Sequence, residues 1–150
     1  MRFYIGILVV FLALVVYVYF SISYQLGREA QREFNRGNYQ SAYELATQAL
    51  EEDPYNRSAF GIANQAKQRL NIQDFLNNAK ESQQEAFRIL KDGSLTPEEY
   101  LRLVWMVEEF SRKLRALLIL NQPNAQEDKE LKQYEMWFLE LKARLDSVKK

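Results

Sequence analysis

Any chemistry in this chain would have to come from carboxylates, Lys, Ser or Tyr, because the sequence contains no histidine and no cysteine. Those absences remove imidazole bases, thiolate nucleophiles, disulfides and the usual zinc ligands together. The acids that stand side by side are Glu51-Glu52, Glu98-Glu99 and Glu108-Glu109. On a helix, neighbours diverge by about 100 degrees, so such pairs do not converge on one substrate. Gly-rich phosphate loops, Ser-based triads and metal-ligand spacings are missing from the sequence. A carboxylate-only hydrolase of the glycosidase kind would need a cleft that nothing in the pattern builds. The expectation is a protein that is not an enzyme and uses no cofactor. Lys and Arg number 20 and Asp and Glu also 20, so the formal charge is zero. That leaves no basic field for a nucleic-acid backbone.

The elements that could position a binding surface are helical. With only five Gly and three Pro in 150 residues, and with Ala, Leu, Glu, Gln, Lys and Arg abundant, long helices with few turns follow. The N-terminal run Phe3 to Phe20 carries no charge, and at 1.5 Å per residue it approaches the roughly 30 Å apolar thickness of a bilayer. Ser21-Ile22-Ser23 extends it, and Tyr4, Tyr17, Tyr19 and Tyr24 stand where aromatic rings favour the headgroup level. The expected assignment is a transmembrane signal-anchor over 1–24 followed by a soluble helical domain over 25–150. Met1-Arg2 and the small-x-small triplet at 21–23 also fit a cleaved secretory leader, but the apolar stretch exceeds the usual leader core. Arg28, Arg32 and Arg36 oppose translocation of the domain, while Arg2 and the amino terminus favour a cytoplasmic start. The expected location is a bacterial inner (cytoplasmic) membrane, crossed once, with the soluble domain periplasmic or extracytoplasmic. With no proline between Tyr17 and Arg36, the span is expected to run directly into the first soluble helix.

Turn signals divide the remainder. Gly37, between Arg36 and Asn38, suits a left-handed helix terminus. Asp53-Pro54-Tyr55-Asn56 stops the next helix, a weaker break is read near Asn71, and Asp92-Gly93-Ser94 ends a long helix. Thr96-Pro97-Glu98-Glu99 combines an N-cap, a first-turn proline and a capping-box glutamate. Asn121-Gln122-Pro123-Asn124 precedes a last helix from about Gln126 to Val148. The fold class expected is all-α, with the membrane helix followed by six helices in about three stacked hairpins.

Within Leu26–Asn56 the order of small and turn residues resembles a tetratricopeptide repeat. Ala30 stands at the small position of the first helix, Gly37-Asn38-Tyr39 forms the turn, and Ala42 and Ala49 are the small contacts of the second helix. Leu50, Asp53, Pro54 and Asn56 close the unit. Small residues there permit close helix approach, and Tyr39 fills the wedge between the helices. Glu33, where an aromatic is usual, and Ala46, where a larger side chain is usual, depart from the pattern and imply a looser or membrane-adjacent first hairpin. Residues 25–56 form the best repeat and 57–92 a degenerate one, in which Ala59, Phe60 and Ala63 fit the opening of another first helix. Residues 96–150 form a C-terminal hairpin without the signature. Such repeats stack to bury their faces.

The resemblance implies a concave groove lined by first helices. Its register places Gln31, Phe34 and Asn35 there from the first hairpin, and Gln65, Gln68 and Arg69 from the second. Gly27 and Gln31 do not supply the cationic clamp that binds chaperone tails. In the last hairpin, Leu131, Tyr134, Phe138, Leu141, Leu145 and Val148 make a seam at alternating three and four spacing. Tyr100, Leu103, Val104, Val107, Leu114, Leu117 and Leu118 face it. Leu101, Trp105 and Met106, with Met136 and Trp137, lie off both stripes and are either buried in the domain or covered by a partner. The stretch 77–85 reads as a solvated helix face.

The combined expectation is a membrane-anchored protein-protein interaction adaptor or scaffold, bound to lipid through residues 3–24 and to protein partners through these faces. The alternative is a structural accessory subunit of a larger membrane complex, with the Trp105/Trp137 region as its contact.

Overall fold

The computed structural model describes the backbone of residues 2–91 and 93–148, with side chains at 4, 6–17, 21–91 and 93–147. Met1, Asp92 and the side chains of Arg2, Phe3, Tyr19 and Val148, all used in the sequence reading, lie outside the described residues. Among those described the chain is all-helical: α1 Arg2–Phe20, α2 Ile22–Asn35, α3 Tyr39–Glu52, α4 Arg57–Leu90, α5 Pro97–Leu120 and α6 Ala125–Val148. Two compact units divide it at 67/68, so that α4 contributes its first turns to one and the rest to the other.

In the first unit, α1 is apolar on every side, and Val9, Phe11, Leu12 and Leu14 are all exposed. It does not run unbroken into α2, as the sequence reading expects. Ser21 is extended (φ −60°, ψ 132°) and interrupts the helix for one residue, and the axes of Gly6–Tyr17 and Ile22–Asn35 meet at 56°. Ile22 to Tyr24 therefore belong to α2 rather than to the apolar segment. Among the described residues no single helix is long and apolar enough to cross a membrane, whereas that bent pair reaches the length and composition together. Its second half is amphipathic. One face of α2, Ser23, Gly27 and Ala30, is buried, while Glu29 and Arg32 are exposed.

The α2–α3 turn follows from its residues. Gly37 has φ +84°, a conformation that a Cβ disfavours. Its N–H donates to Phe34 O and that of Asn38 to Glu33 O, both at 3.0 Å, which closes the end of α2 in the double-bonded manner typical of helix termini ending in glycine. The core beyond the turn is a seam of small residues: Ala30, Ala42 and Ala46 pack with Ile62, Ala63 and Ala66 of α4. Ala46 is fully buried. The first hairpin is thus closely packed rather than loose, because a methyl group is what fits between helices at this approach.

A buried polar knot ties the start of α2 to the ends of its neighbours. Ser23 Oγ donates to Ala49 O at 2.8 Å. Asn56 Nδ2 donates to Ser23 Oγ at 2.9 Å, while Asn56 Oδ1 accepts from Ala59 N and caps α4. Gly27 lies beside this knot, where an added Cβ would stand 3.5 Å from Asn56 Nδ2.

In the second unit, α4, α5 and α6 surround an aromatic column. Phe110 stacks on Phe138 with centroids 4.1 Å apart and meets Phe75 at 5.4 Å. Leu103, Val107 and Leu114 from α5, and Leu131, Leu141 and Leu145 from α6, complete the core. Among the described side chains, which leave out Val148, the expected seam is present, except that Leu118 is half exposed. The break read at Asn71 is not formed: α4 continues through it to Leu90. Asn71-Ile72-Gln73 contains neither Gly nor Pro, and Ile72 is fully buried, so burial favours continuing the helix. The two hairpins read from 57 to 150 are instead one long helix and one hairpin. At the start of α5 the expected capping box is present: Thr96 Oγ1 accepts from Glu99 N at 3.2 Å, and Thr96 N donates to Glu99 Oε2 at 2.9 Å.

Candidate functional site

The residues read from the repeat register divide between the units. In the first unit, Gln31 and Asn35 are exposed one turn apart on α2, and Gln31 Nε2 donates to Asn35 Oδ1 at 3.0 Å. Phe34 turns inward, its ring 5.3 Å from that of Tyr39 and packed on the alanine seam. Gln65 is exposed on α4. Gln31, Asn35 and Gln65 are thus exposed amides, with the exposed Arg32 and Arg36 beside the first two. On the same helix, Glu33 accepts from Asn38 Nδ2 at 2.7 Å and from Arg36 Nη1 at 2.6 Å. Those two bonds, Asn38 first, hold its carboxyl below the usual range.

Gln68 and Arg69, read as groove residues, are engaged inside the second unit. Arg69 forms an ion pair with Glu127, and both side chains are largely buried. Its second nitrogen donates to Gln122 O, and Gln68 Oε1 accepts from Gln122 N at 3.4 Å. Glu127 also accepts from Asn124 N at 2.7 Å, while Asn124 Oδ1 accepts from Glu127 N at 2.9 Å. This reciprocal pair is a capping box that starts α6. Asn71 Nδ2 donates to Asn121 Oδ1 at 3.1 Å. The α5–α6 turn is thereby clasped onto α4, and Arg69 has an internal partner instead of a free face.

The aromatic candidates are also separated. Leu101 and Trp105, four residues apart and so on one face of α5, are exposed, Trp105 at 61%. Trp105 and Met106 line a groove with Phe75 and Ala79 of α4. Trp137 lines a different groove, with Phe87 and Leu90. There its ring lies 5.2 Å from Phe87 and edge-on to Phe138 at 4.8 Å. Met136 is exposed on α6. The two tryptophans therefore do not form one patch: Met106 and Trp137 pack on the core, and Leu101, Trp105 and Met136 remain at the surface.

No family model, curated protein or solved structure matches the chain. The surfaces must therefore be read from their own chemistry.

Of the side-by-side acids, Glu99 and Glu109 are held as hydrogen-bond acceptors. Glu99 accepts from the Thr96 backbone and hydroxyl, which lowers its carboxyl. Glu109 is lowered by its bonds to Arg112 and then Lys113. A carboxylate stabilised in its charged form is a poor general acid at neutral pH. Burial pushes the Tyr134 phenol up, toward a less reactive oxygen. Among the described residues no group of three or more acids converges as a metal site. Sequence reasoning missed the exposed Phe87 and the outward run Leu118-Ile119-Leu120 at the end of α5. A signal for the latter was present as four consecutive bulky apolar residues, 117–120, directly before a polar turn.

Proposed function

We propose that this chain is a membrane-anchored adaptor, in which a hydrophobic N-terminal segment holds a small tetratricopeptide-like helical domain at a bacterial envelope, where it recruits or assembles other proteins. The observation that carries the reading is α1: its described side chains from Gly6 to Tyr17 are apolar or aromatic and exposed throughout. A helical stretch whose described side chains are apolar all round and exposed needs an apolar surrounding. The repeat-like character is supported by the helix–turn–helix of α2 and α3 with its small-residue seam. The exposed amides Gln31, Asn35 and Gln65 are the partner-binding candidates.

The exposed Leu101, Trp105 and Met136 favour a second reading, in which the chain is an accessory subunit of a membrane complex. Gentle detergent extraction followed by size and partner analysis separates the two. The adaptor reading expects a monomer with substoichiometric clients, and a stoichiometric complex would replace it by the subunit reading. In the subunit case Trp105→Ala abolishes association while the melting temperature stays put, since an exposed side chain contributes within about 0.5 kcal/mol. Alkaline carbonate washing tests the anchor itself: release of the chain into the supernatant would remove the basis of both readings.

A further inference from the structure

The last turn of α5 presents Leu118, Ile119 and Leu120 at 49%, 81% and 76% exposure. Three consecutive helical residues point in directions about 100 degrees apart, so they form a wedge around the helix end. A partner helix or groove reads side chains spaced three and four along one face. A wedge suits a medium that can close around it from every direction. Along α5 the adjoining charge is one-signed: Arg112, Lys113 and Arg115 precede the wedge, and from Arg112 to Asn124 the sequence contains no acid. Across from them, Asp74 of α4 lines a groove with Lys113 and Leu120, one acid against three cations. Glu109, one turn earlier, pairs with Arg112 and with Lys113 at 3.1 Å, yet both cations keep more than half their side-chain surface in solvent. The wedge is also held firmly, because Asn121 donates to Leu117 O at 2.9 Å and the following turn is clasped to Arg69.

We propose that this wedge is a second membrane-contact element, in which Leu118, Ile119 and Leu120 enter the acyl boundary and Arg112, Lys113 and Arg115 meet anionic headgroups. Apolar side chains beside basic ones are the composition that binds a negatively charged bilayer surface. The proposal rests on the reading of α1 as an anchor, which keeps the chain at a bilayer.

Because the chain has no cysteine, single cysteines can carry an environment-sensitive NBD label. The full chain is reconstituted in nanodiscs of mixed phosphatidylcholine and phosphatidylglycerol, labelled at Ile119→Cys, at Val10→Cys in α1 or at the exposed Ala143→Cys in α6. The expected result is blue-shifted emission at 119 and 10, quenched by spin-labelled lipid, with water-like emission at 143. Arg115→Gln, or each further cation neutralised, lowers the ratio of inserted to free wedge about fivefold. Circular dichroism of the labelled chains checks that the fold is kept. Water-like emission at 119 with quenched emission at 10 overturns the wedge and leaves the anchor standing. Water-like emission at 10 overturns the anchor and the wedge with it. Blue-shifted emission at 119 that lipid quenchers do not reach would show a protein covering the wedge, a second copy included, and would overturn the proposal. So would insertion unchanged in nanodiscs lacking phosphatidylglycerol.

Discussion

The two units solve the same packing problem with opposite materials. The first brings α2, α3 and the start of α4 together over alanines, so the backbones approach closely and little apolar side chain is needed. The second holds α4, α5 and α6 apart with a column of three phenylalanines. Close packing over small residues tolerates no enlargement, whereas a core of large rings tolerates no truncation. The first unit adds specificity through a buried polar knot at Ser23 and Asn56. The second places its buried polar contacts at the edge, where Arg69 clasps a turn.

The contrast can be broken most directly in the second unit. Phe138→Ala is expected to destabilise it by about 4 kcal/mol, through lost burial and the cavity left beside Phe110. Hydrogen exchange should show the loss confined to 68–150, and uniform loss over both units would mean that the two cores are one cooperative body. Enlarging the small seam with Ala46→Leu is expected to cost about 2 kcal/mol by overpacking. A stabilised variant in chemical denaturation would show that the seam has room and that the contrast is false. Ser23→Ala removes one of two hydrogen bonds from Ala49 O, which keeps Asp53 N, and from Asn56 Nδ2, which keeps the Ser23 carbonyl. It is expected to cost about 1 kcal/mol, read as faster exchange of amides near the start of α4.

The smallest effect is electrostatic. Glu33, Glu99 and Glu109 have folded carboxyls below the usual range. Their contribution is present above the unfolded value of about 4.3 and is lost as pH falls through the folded values. Stability should be flat from neutral pH to about 5 and decline below about 4.3. The three glutamate-to-glutamine substitutions should together flatten that decline. An unchanged acid limb would assign it to other groups.

Much of this fold is legible in the sequence wherever a local rule decides the conformation. Gly37 marks the left-handed residue, Thr96 and Glu99 mark the start of α5, and Ala30, Ala42 and Ala49 mark buried positions of the first hairpin, because each depends on residues within a turn or two. What was not legible depends on distant partners. Asn71 resembles a helix end until Ile72 is seen buried and Asn121 supplies a hydrogen bond. Arg69 resembles a groove residue until Glu127, 58 positions later, closes on it. Phe110 and Phe75 are ordinary apolar residues in the sequence, and only the stacking of three helices makes them a column. The sequence left Leu101, Trp105, Met106, Met136 and Trp137 between burial and a partner, and only the packing of α4, α5 and α6 decides it: Leu101, Trp105 and Met136 stay exposed, whereas Met106 and Trp137 pack partly buried on the core.

The interruption at Ser21 has a mechanical consequence. Ser21 N donates to Tyr17 O at 2.9 Å and Gln25 N to Ser21 O at 3.0 Å, so the joint is hydrogen-bonded on both sides of the single extended residue. The 56° bend is thus made at one residue, with helical hydrogen bonding resuming on either side. Turning α1 about its own axis would therefore sweep the α2 axis around a cone, so that a torque on α1 would change the direction of α2 without any pull along the chain.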